Sequence, residues 1–485
     1  MSNSQAKGRG ASTGYALIAL VCLVNSFCNS CGGGSTSGTQ NDTARPNISP
    51  SPYPTATSVD IPTASSTPNN SPGGSNGGPV ANNATPLPRP SLTPTPTQSP
   101  AVTPTPTQTP TVTVAAESPT ISPTAFQLTA DQVIQKAIDA LPPTGGIVDE
   151  SSLSGPQLLK GVVSISKPTR LILNGMFSYI GPPVTSGLFR FLPGSDGSSI
   201  QCSTLPPSLA TSPSPCYISA AVTGIGSLIA IGSGPSDYIN NISIQNLTFL
   251  ATPGVSAIIQ ANEESGDDIH VVGNTVVTQG NGGGSTTFVL FTGGSGPGED
   301  NNLVISDNHV SGVAVGVDLN TSQVVGTTIE HNVFANLATG PCLKLENSTA
   351  YNVMIGENLF VGTSLQPGGA TVYIDGGVAT IVGNVWQNNK TAALTTNGNS
   401  ADLEIQGGAL INAYGNQFLG GVSNIDLDPS FAINITDVQS KAIIVGNQIA
   451  NYAQGGVRGL TPGSLYLGNS FSQGNSPGST VYVGP

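Results

Sequence analysis

The chain has 485 residues with only 13 basic and 26 acidic side chains, so about 8% are charged where a globular domain carries roughly a quarter. A net charge of −13 argues against nucleic acid as a partner and against electrostatic attraction to anionic lipid, and a polyanionic ligand would need cations as mediators. With 61 Gly and 39 Pro the composition fits a turn-rich β domain plus an extended segment, not a helical bundle or a doubly wound α/β enzyme.

Residues 1–31 read as an export signal, with Lys7 and Arg9 as a short basic region and an apolar run from Tyr15 to Val24 before Asn25-Ser26. That run is too short to span a bilayer, and no later run of 18 apolar residues exists. The stretch Phe27-Cys28-Asn29-Ser30-Cys31-Gly32-Gly33-Gly34-Ser35 resembles the processing site of a bacterial lipoprotein. The resemblance implies Cys31 as the lipidated first residue of an exported cell-envelope or surface protein, attached to membrane through its lipid alone. The Leu usual three residues before that cysteine is replaced by Cys28, which keeps plain secretion as the alternative.

Residues 32–125 form a Pro/Thr/Ser-rich linker. Between positions 36 and 125 lie 19 of the 39 prolines, in repeats such as Thr93-Pro94-Thr95-Pro96-Thr97. Such a segment buries no core and reaches between roughly 50 Å as a coil and about 280 Å extended, enough to lift a domain off a surface.

Residues 126–485 hold the folded mass. Thr129-Ala130-Asp131-Gln132 starts like a capping box, and Val133, Ile134, Ala137, Ile138 and Leu141 follow at helical spacing until Pro142-Pro143. Beyond it, short apolar-alternating runs separated by Gly and Asn predict an all-β domain. Within those runs a unit recurs: apolar, any, apolar, any, any, Asn, any, apolar. Ile269 to Val276 and Leu303 to Val310 are two copies, and Asn332, Asn358, Asn384, Asn416, Asn447 and Asn469 carry it on. The eight asparagines, from Asn274, are spaced 34, 24, 26, 26, 32, 31 and 22 residues apart, one solenoid coil each, whereas a propeller blade needs roughly 40. Stacked coils would turn the apolar positions into interior columns and the asparagines into an amide ladder. The earlier copy, Ile242 to Phe249, has Leu247 in the ladder position, so the ladder is expected to begin one coil later.

On this repeat, and on the entry helix followed by Gly145-Gly146-Ile147-Val148, the chain resembles the pectate-lyase-like right-handed parallel β-helix superfamily over most of residues 127–475. The resemblance implies a right-handed parallel β-helix with a short N-terminal capping helix and a polysaccharide partner. The superfamily's Pro-x-Gly-x-Tyr stretch is missing, which predicts an irregular first coil. Its lyase chemistry, an Arg base with calcium-bound carboxylates, does not carry over. Arg170, Arg190 and Arg458 are the only arginines here and none sits in an Arg-x-Pro-x-x-Arg context. Of the related polygalacturonase motifs only Asp267-Asp268 has a match, within an ordinary ladder coil.

Cys202 and Cys216 flank a Ser/Pro loop, where a disulfide would stabilise by roughly 3 kcal/mol. Cys342, between apolar neighbours, reads as a buried thiol.

A site on such a solenoid belongs on an outward strand face. Aligning the strand that follows each ladder turn gives one column of Asp318, Lys344, Tyr373, Thr395 and Asp426, and a second of Asn320, Glu346, Asp375, Asn397 and Asp428, with Arg458 extending the series. Coils lie about 4.8 Å apart, close enough for Glu346 and Asp375 to perturb one another or share a divalent cation. The expected catalytic set is Glu346, Asp375, Lys344, Tyr373 and Asp428, with Asp318, Asn320, Asn397 and Asp426 as substrate contacts. Plain solvation of outward positions explains the same pattern without a site. Asp307, His331 and Glu357, each just before a ladder Asn, form an alternative acid-base cluster or simply polar turns. Asp267, Asp268, Glu299 and Asp300 are candidate calcium ligands in neighbouring loops. Two function classes follow: cleavage of polysaccharide by a lyase or hydrolase, and a non-catalytic adhesin or structural solenoid.

Overall fold

The computed structural model describes residues 128–472 except 154, 205–215, 235–236, 263–266, 279–284, 293–299, 321–323, 347–351, 367–368, 392–399, 421–428 and 453. The export signal with Cys31 and the linker lie outside the described residues. Helix α1, Ala130–Asp139, opens with Gln132 Oε1 accepting the Thr129 N–H at 3.1 Å, and it buries Ile134 and Ile138 over the end of the core. Among the described residues no helix is long and apolar enough to cross a membrane.

From Gly146 onward the chain winds through three sheets of parallel strands, of twelve, twelve and eleven strands, visiting each sheet once per coil. Every strand therefore pairs with the strand one coil earlier and one coil later, which makes the domain a right-handed parallel β-helix. The first coil is regular, contrary to the expectation drawn from the missing motif: Gly146–Glu150 pairs residue for residue with Thr169–Leu173.

Strict register turns sequence alternation into interior columns. In the second sheet Phe334, Phe360, Trp386 and Phe418 stand above one another, with ring centroids 5.5, 5.0 and 4.4 Å apart. Offset stacking of this kind adds to the burial of large apolar surface. In the third sheet Val317, Leu343, Val372, Leu403, Ile433 and Val457 form the equivalent aliphatic column.

The asparagine ladder runs unbroken from Asn274 to Asn469. Each Nδ2 donates to the next Oδ1 at 2.9–3.1 Å. The same oxygen also accepts the backbone N–H of the preceding asparagine, as Asn358 Oδ1 does from Asn332 at 3.0 Å. The second Nδ2 hydrogen goes to a carbonyl one coil back, as from Asn358 to Ile329 at 2.8 Å. Leu247 occupies the place before the ladder and only lends its N–H to Asn274 Oδ1, so the ladder starts at the coil expected.

The residue before each ladder Asn turns the corner in the left-handed region. Gly takes that place at Gly273, Gly383, Gly415, Gly446 and Gly468, but Asp307, His331 and Glu357 stand there with φ of 57°, 55° and 52°. A side chain at such a φ is strained, which is why glycine predominates.

Cys202 and Cys216 are joined by a disulfide, with Cα atoms 5.7 Å apart. Cys342 is buried, its Sγ lies 3.2 Å from Thr363 Oγ1, and burial pushes the thiol up to about 12, which makes it inert as a nucleophile.

Replacing Asn358 with Ala leaves the buried Asn332 N–H, the Asn384 Oδ1 and the Ile329 carbonyl short of partners. At about 1–3 kcal/mol for each orphaned group, denaturant unfolding is expected to register a loss of about 3 kcal/mol or more. A loss below about 1 kcal/mol would mean that the ladder is ornamental.

Candidate functional site

The outward face of the third sheet carries the charge that this chain otherwise withholds. Backbone register places Gln260, Leu290, Asp318, Lys344, Tyr373, Glu404, Asn434 and Arg458 in one line. One step further along the strands, Asn320 pairs with Glu346, Asp375 pairs with Gln406, and Thr436 follows Ile435. Glu346 and Asp375 are neighbours across the pairing of Leu345 with Ile374. The two columns therefore run as expected up to Tyr373 and Asp375.

Beyond them the expectation fails. The next strands are Ala401–Gln406 and Phe431–Ile435, so the columns continue through Glu404 and Gln406, then Asn434 and Thr436. The positions expected of Thr395, Asn397, Asp426 and Asp428 are thus held by these four residues, and Thr395, Asn397, Asp426 and Asp428 themselves fall outside the described residues. Sequence reasoning missed Glu404 for this reason. The signal was present in Leu403-Glu404-Ile405-Gln406, which keeps both inward positions apolar, whereas Leu394-Thr395-Thr396-Asn397 puts Thr396 on one.

The polar groups on this face are tied together. Lys344 Nζ lies 2.7 Å from Glu346 Oε2 and 3.8 Å from Asp318 Oδ2. Asp318 is raised above the usual carboxylate range because burial outweighs the neighbouring Lys344. The Glu346 carboxylate, expected to share a divalent cation with Asp375, is engaged by the Lys344 ammonium. Asp375 Oδ2 accepts from Gln406 Nε2 at 3.2 Å and from the Tyr373 hydroxyl at 3.4 Å, while Gln406 Nε2 also donates to the Tyr373 oxygen. Burial, then the negative charges of Asp375, Glu346 and Glu404, push Tyr373 up to about 12, so its hydroxyl keeps its proton. Glu404, flanked in register by Tyr373 and Asn434, is pushed up to about 7 by burial. It is a carboxylic acid that still holds its proton close to neutrality.

Two residues before Glu404 on the same strand, Asp402 is fully buried beneath neighbouring segments. It accepts from Thr371 Oγ1 at 2.8 Å, Asn389 Nδ2 at 2.9 Å and the Tyr452 hydroxyl. Burial raises it to about 6 despite these three donors.

His331 Nε2 and Glu357 Oε2 meet at 2.9 Å, but both side chains are exposed at strained turn positions. Asp307 occupies the same turn position one coil earlier. Asp268 also sits in a left-handed turn and accepts from Asn302 Nδ2. Glu299 lies outside the described residues, and Asp300 is placed only by its backbone pairing with Val324. Among the described residues no group of three or more His, Cys, Asp or Glu side chains is arranged to hold a metal ion.

No protein-family model and no curated protein matches the chain. Among solved structures, the catalytic domain of a GH87 alpha-1,3-glucanase in complex with nigerose is similar over 74% of this chain and 65% of its own length, at 12% identity and a TM-score of 0.38. A tailspike protein of E. coli bacteriophage HK620 in complex with a pentasaccharide is similar over 72% and 64%, at 12% identity and a TM-score of 0.43. A polygalacturonase from Erwinia carotovora ssp. carotovora is similar over 72% and 95%, at 13% identity and a TM-score of 0.37. The chain thus spans just under two thirds of the length of the first two. These likenesses lie at the level of fold.

Two measurements test these assignments. Because the folded-state value of Asp402 is raised from 3.8 to about 6, its stabilisation is complete below about pH 4 and is lost as pH rises through 6. Stability of the wild type relative to Asp402→Asn should therefore fall by on the order of 3 kcal/mol between pH 4 and 7, and parallel curves would remove the assignment. At the turn, His331→Gly relieves left-handed strain and gives up only an exposed contact with Glu357, so thermal unfolding should shift little or upward. His331→Val should cost about 1–2 kcal/mol. Equal losses in both would show that the imidazole matters more than the backbone.

Proposed function

We propose that this protein binds polysaccharide along the outward face of its third sheet and hydrolyses glycosidic bonds there, as an exported, lipid-anchored domain displayed on the 32–125 linker. The observation that carries this reading is that one outward strand face holds Glu404, pushed up to about 7 by burial, one coil from Asp375, whose Oδ2 accepts from the Tyr373 hydroxyl and from Gln406 Nε2. A straight row of hydrogen-bonding side chains repeating every coil of about 4.8 Å suits a linear polymer. Hydroxyl-rich chains need neither a basic patch nor cation bridges.

Glu404 donates its proton to the glycosidic oxygen as the bond to the anomeric carbon breaks. Asp375 takes a proton from the water that attacks that carbon, so one water is consumed and each new end is completed. Asp375 pairs with Gln406, two residues past Glu404, so the two residues stand on neighbouring coils with their backbones about 8 Å apart. Glu346 lies alongside Asp375 on the neighbouring coil, but its carboxylate is engaged by Lys344. Tyr373 stands between the pair as a neutral hydroxyl that orients Asp375.

A second reading, a non-catalytic adhesin, is favoured by one feature. Tyr373 is the sole aromatic in these columns among the described residues, and its hydroxyl is already bonded to Asp375 and Gln406.

Full-length protein assayed on neutral and acidic polysaccharides, with and without calcium, decides between them. Glu404→Gln and Asp375→Asn should each cut the rate by roughly a hundredfold or more while remaining folded. Wild-type activity should fall as pH rises through about 7, where Glu404 loses its proton, and chelation should change nothing. Cleavage intact in both variants would move the chemistry elsewhere; binding without cleavage would make the protein an adhesin.

A further inference from the structure

The same two columns run back toward the N-terminus past Asp318 and Asn320 into a separate feature. Gln260 and Leu290 precede Asp318 in register, while Asn262 and Thr292 hold the places that Asn320 holds one coil later. There the sheet no longer presents charge. Thr185, Ser186 and Ser233 face Gln260, Asn262 and Thr292 around a pocket of 410 Å³, within the roughly 300–1,000 Å³ of small-molecule sites.

The lining defines the ligand chemistry. Among the described residues every polar side chain lining it is a hydroxyl or a carboxamide, and the acid bonded to this lining is Asp237, whose Oδ2 accepts from the Ser233 N–H at 2.6 Å and from its hydroxyl at 2.8 Å. The nearest cation in the column, Arg190, is two coils from Gln260 with Ala230 between, about 10 Å by register. Gln260 Nε2 donates to Asn262 Oδ1 at 2.7 Å, and Thr292 Oγ1 donates to the same oxygen at 3.2 Å. Those bonds fix the Asn262 amide and leave its NH₂, with the Gln260 carbonyl oxygen, as a donor and an acceptor without protein partners among the described residues. Adjacent hydroxyls of a sugar, each both donor and acceptor, match such a pair. A uronate or sulfate would enter near Asp237 and without a counter-charge in a protein of net charge −13.

We propose that this pocket is a binding subsite for neutral sugar residues of a polymer chain, set three to five coils, about 14–24 Å, from Asp375 and Glu404. It rests on the reading of this face as a polysaccharide groove for its role in the reaction, though not for its ligand. Binding energy gained there anchors a long substrate across the reacting pair without touching the bond that breaks.

The experiment is calorimetric titration of the full chain with neutral oligosaccharides of two to eight units from glucans, galactans and mannans, beside uronic-acid oligomers of equal length. Asn262→Leu and the milder Thr292→Val test the pocket; a Glu404→Gln, Asp375→Asn double variant tests the reacting pair. Expected is a neutral series that binds both the wild type and the non-cleaving double variant, loses at least tenfold in affinity with Asn262→Leu, and loses severalfold with Thr292→Val at unchanged melting temperature. Unchanged affinity in both pocket variants, preference for the uronic-acid series, or no neutral oligosaccharide bound by the wild type would each overturn the subsite, even if polymer is cleaved. Neutral binding lost in the pocket variants but with no polymer cleaved would keep the subsite and overturn the hydrolase reading instead.

Discussion

The fold depends on one repeated bond, the amide of a buried asparagine donating to the asparagine one coil later. An amide buried without partners is expensive, and each ladder Asn meets that demand only if the coil above presents its own amide at the 4.8 Å strand spacing. The ladder therefore pins register coil by coil. A slip of one residue would expel the asparagine and put Phe360 or Trp386 on the outside. Because this constraint is met from Asn274 to Asn469, loops of any length can leave the corners without disturbing the strands.

Register has an electrostatic consequence on the outer face. In-line stacking brings every outward side chain against its equivalent in the next coil, so a column of like charges would repel. The first column avoids this by alternation: Asp318, Lys344, Tyr373, Glu404, Asn434, Arg458 never sets two like charges side by side. The second column does set Glu346 beside Asp375, and there Lys344 and Gln406 supply the compensating contacts. Ion pairing and hydrogen bonding hold these carboxylates together.

The parts of the molecule that repeat were legible in sequence; the parts that interrupt the repeat were not. The ladder, the aromatic column and the outward series as far as Asp375 follow from residue types recurring in phase. The failure after Asp375 came from connection length. From ladder Asn to outward column the chain uses ten residues between Asn308 and Asp318 but twenty between Asn384 and Glu404, and loop length is under no packing constraint. Asp402 was illegible for another reason. Its burial depends on Asn389 and Tyr452, contributed by segments 13 and 50 residues away in the chain, which no local pattern encodes.

Glu404 draws its character from what does not neighbour it. The cations of its column, Lys344 and Arg458, lie two coils away on either side, each about 10 Å distant, near the screening length of physiological salt. Its immediate neighbours, Tyr373 and Asn434, are neutral, so nothing opposes the cost of removing its carboxylate from water. Moving Lys344 one coil closer would turn the same glutamate into an ordinary ion-paired carboxylate. A chain this poor in charge gains from that poverty an acid whose proton is retained near neutral pH by burial alone.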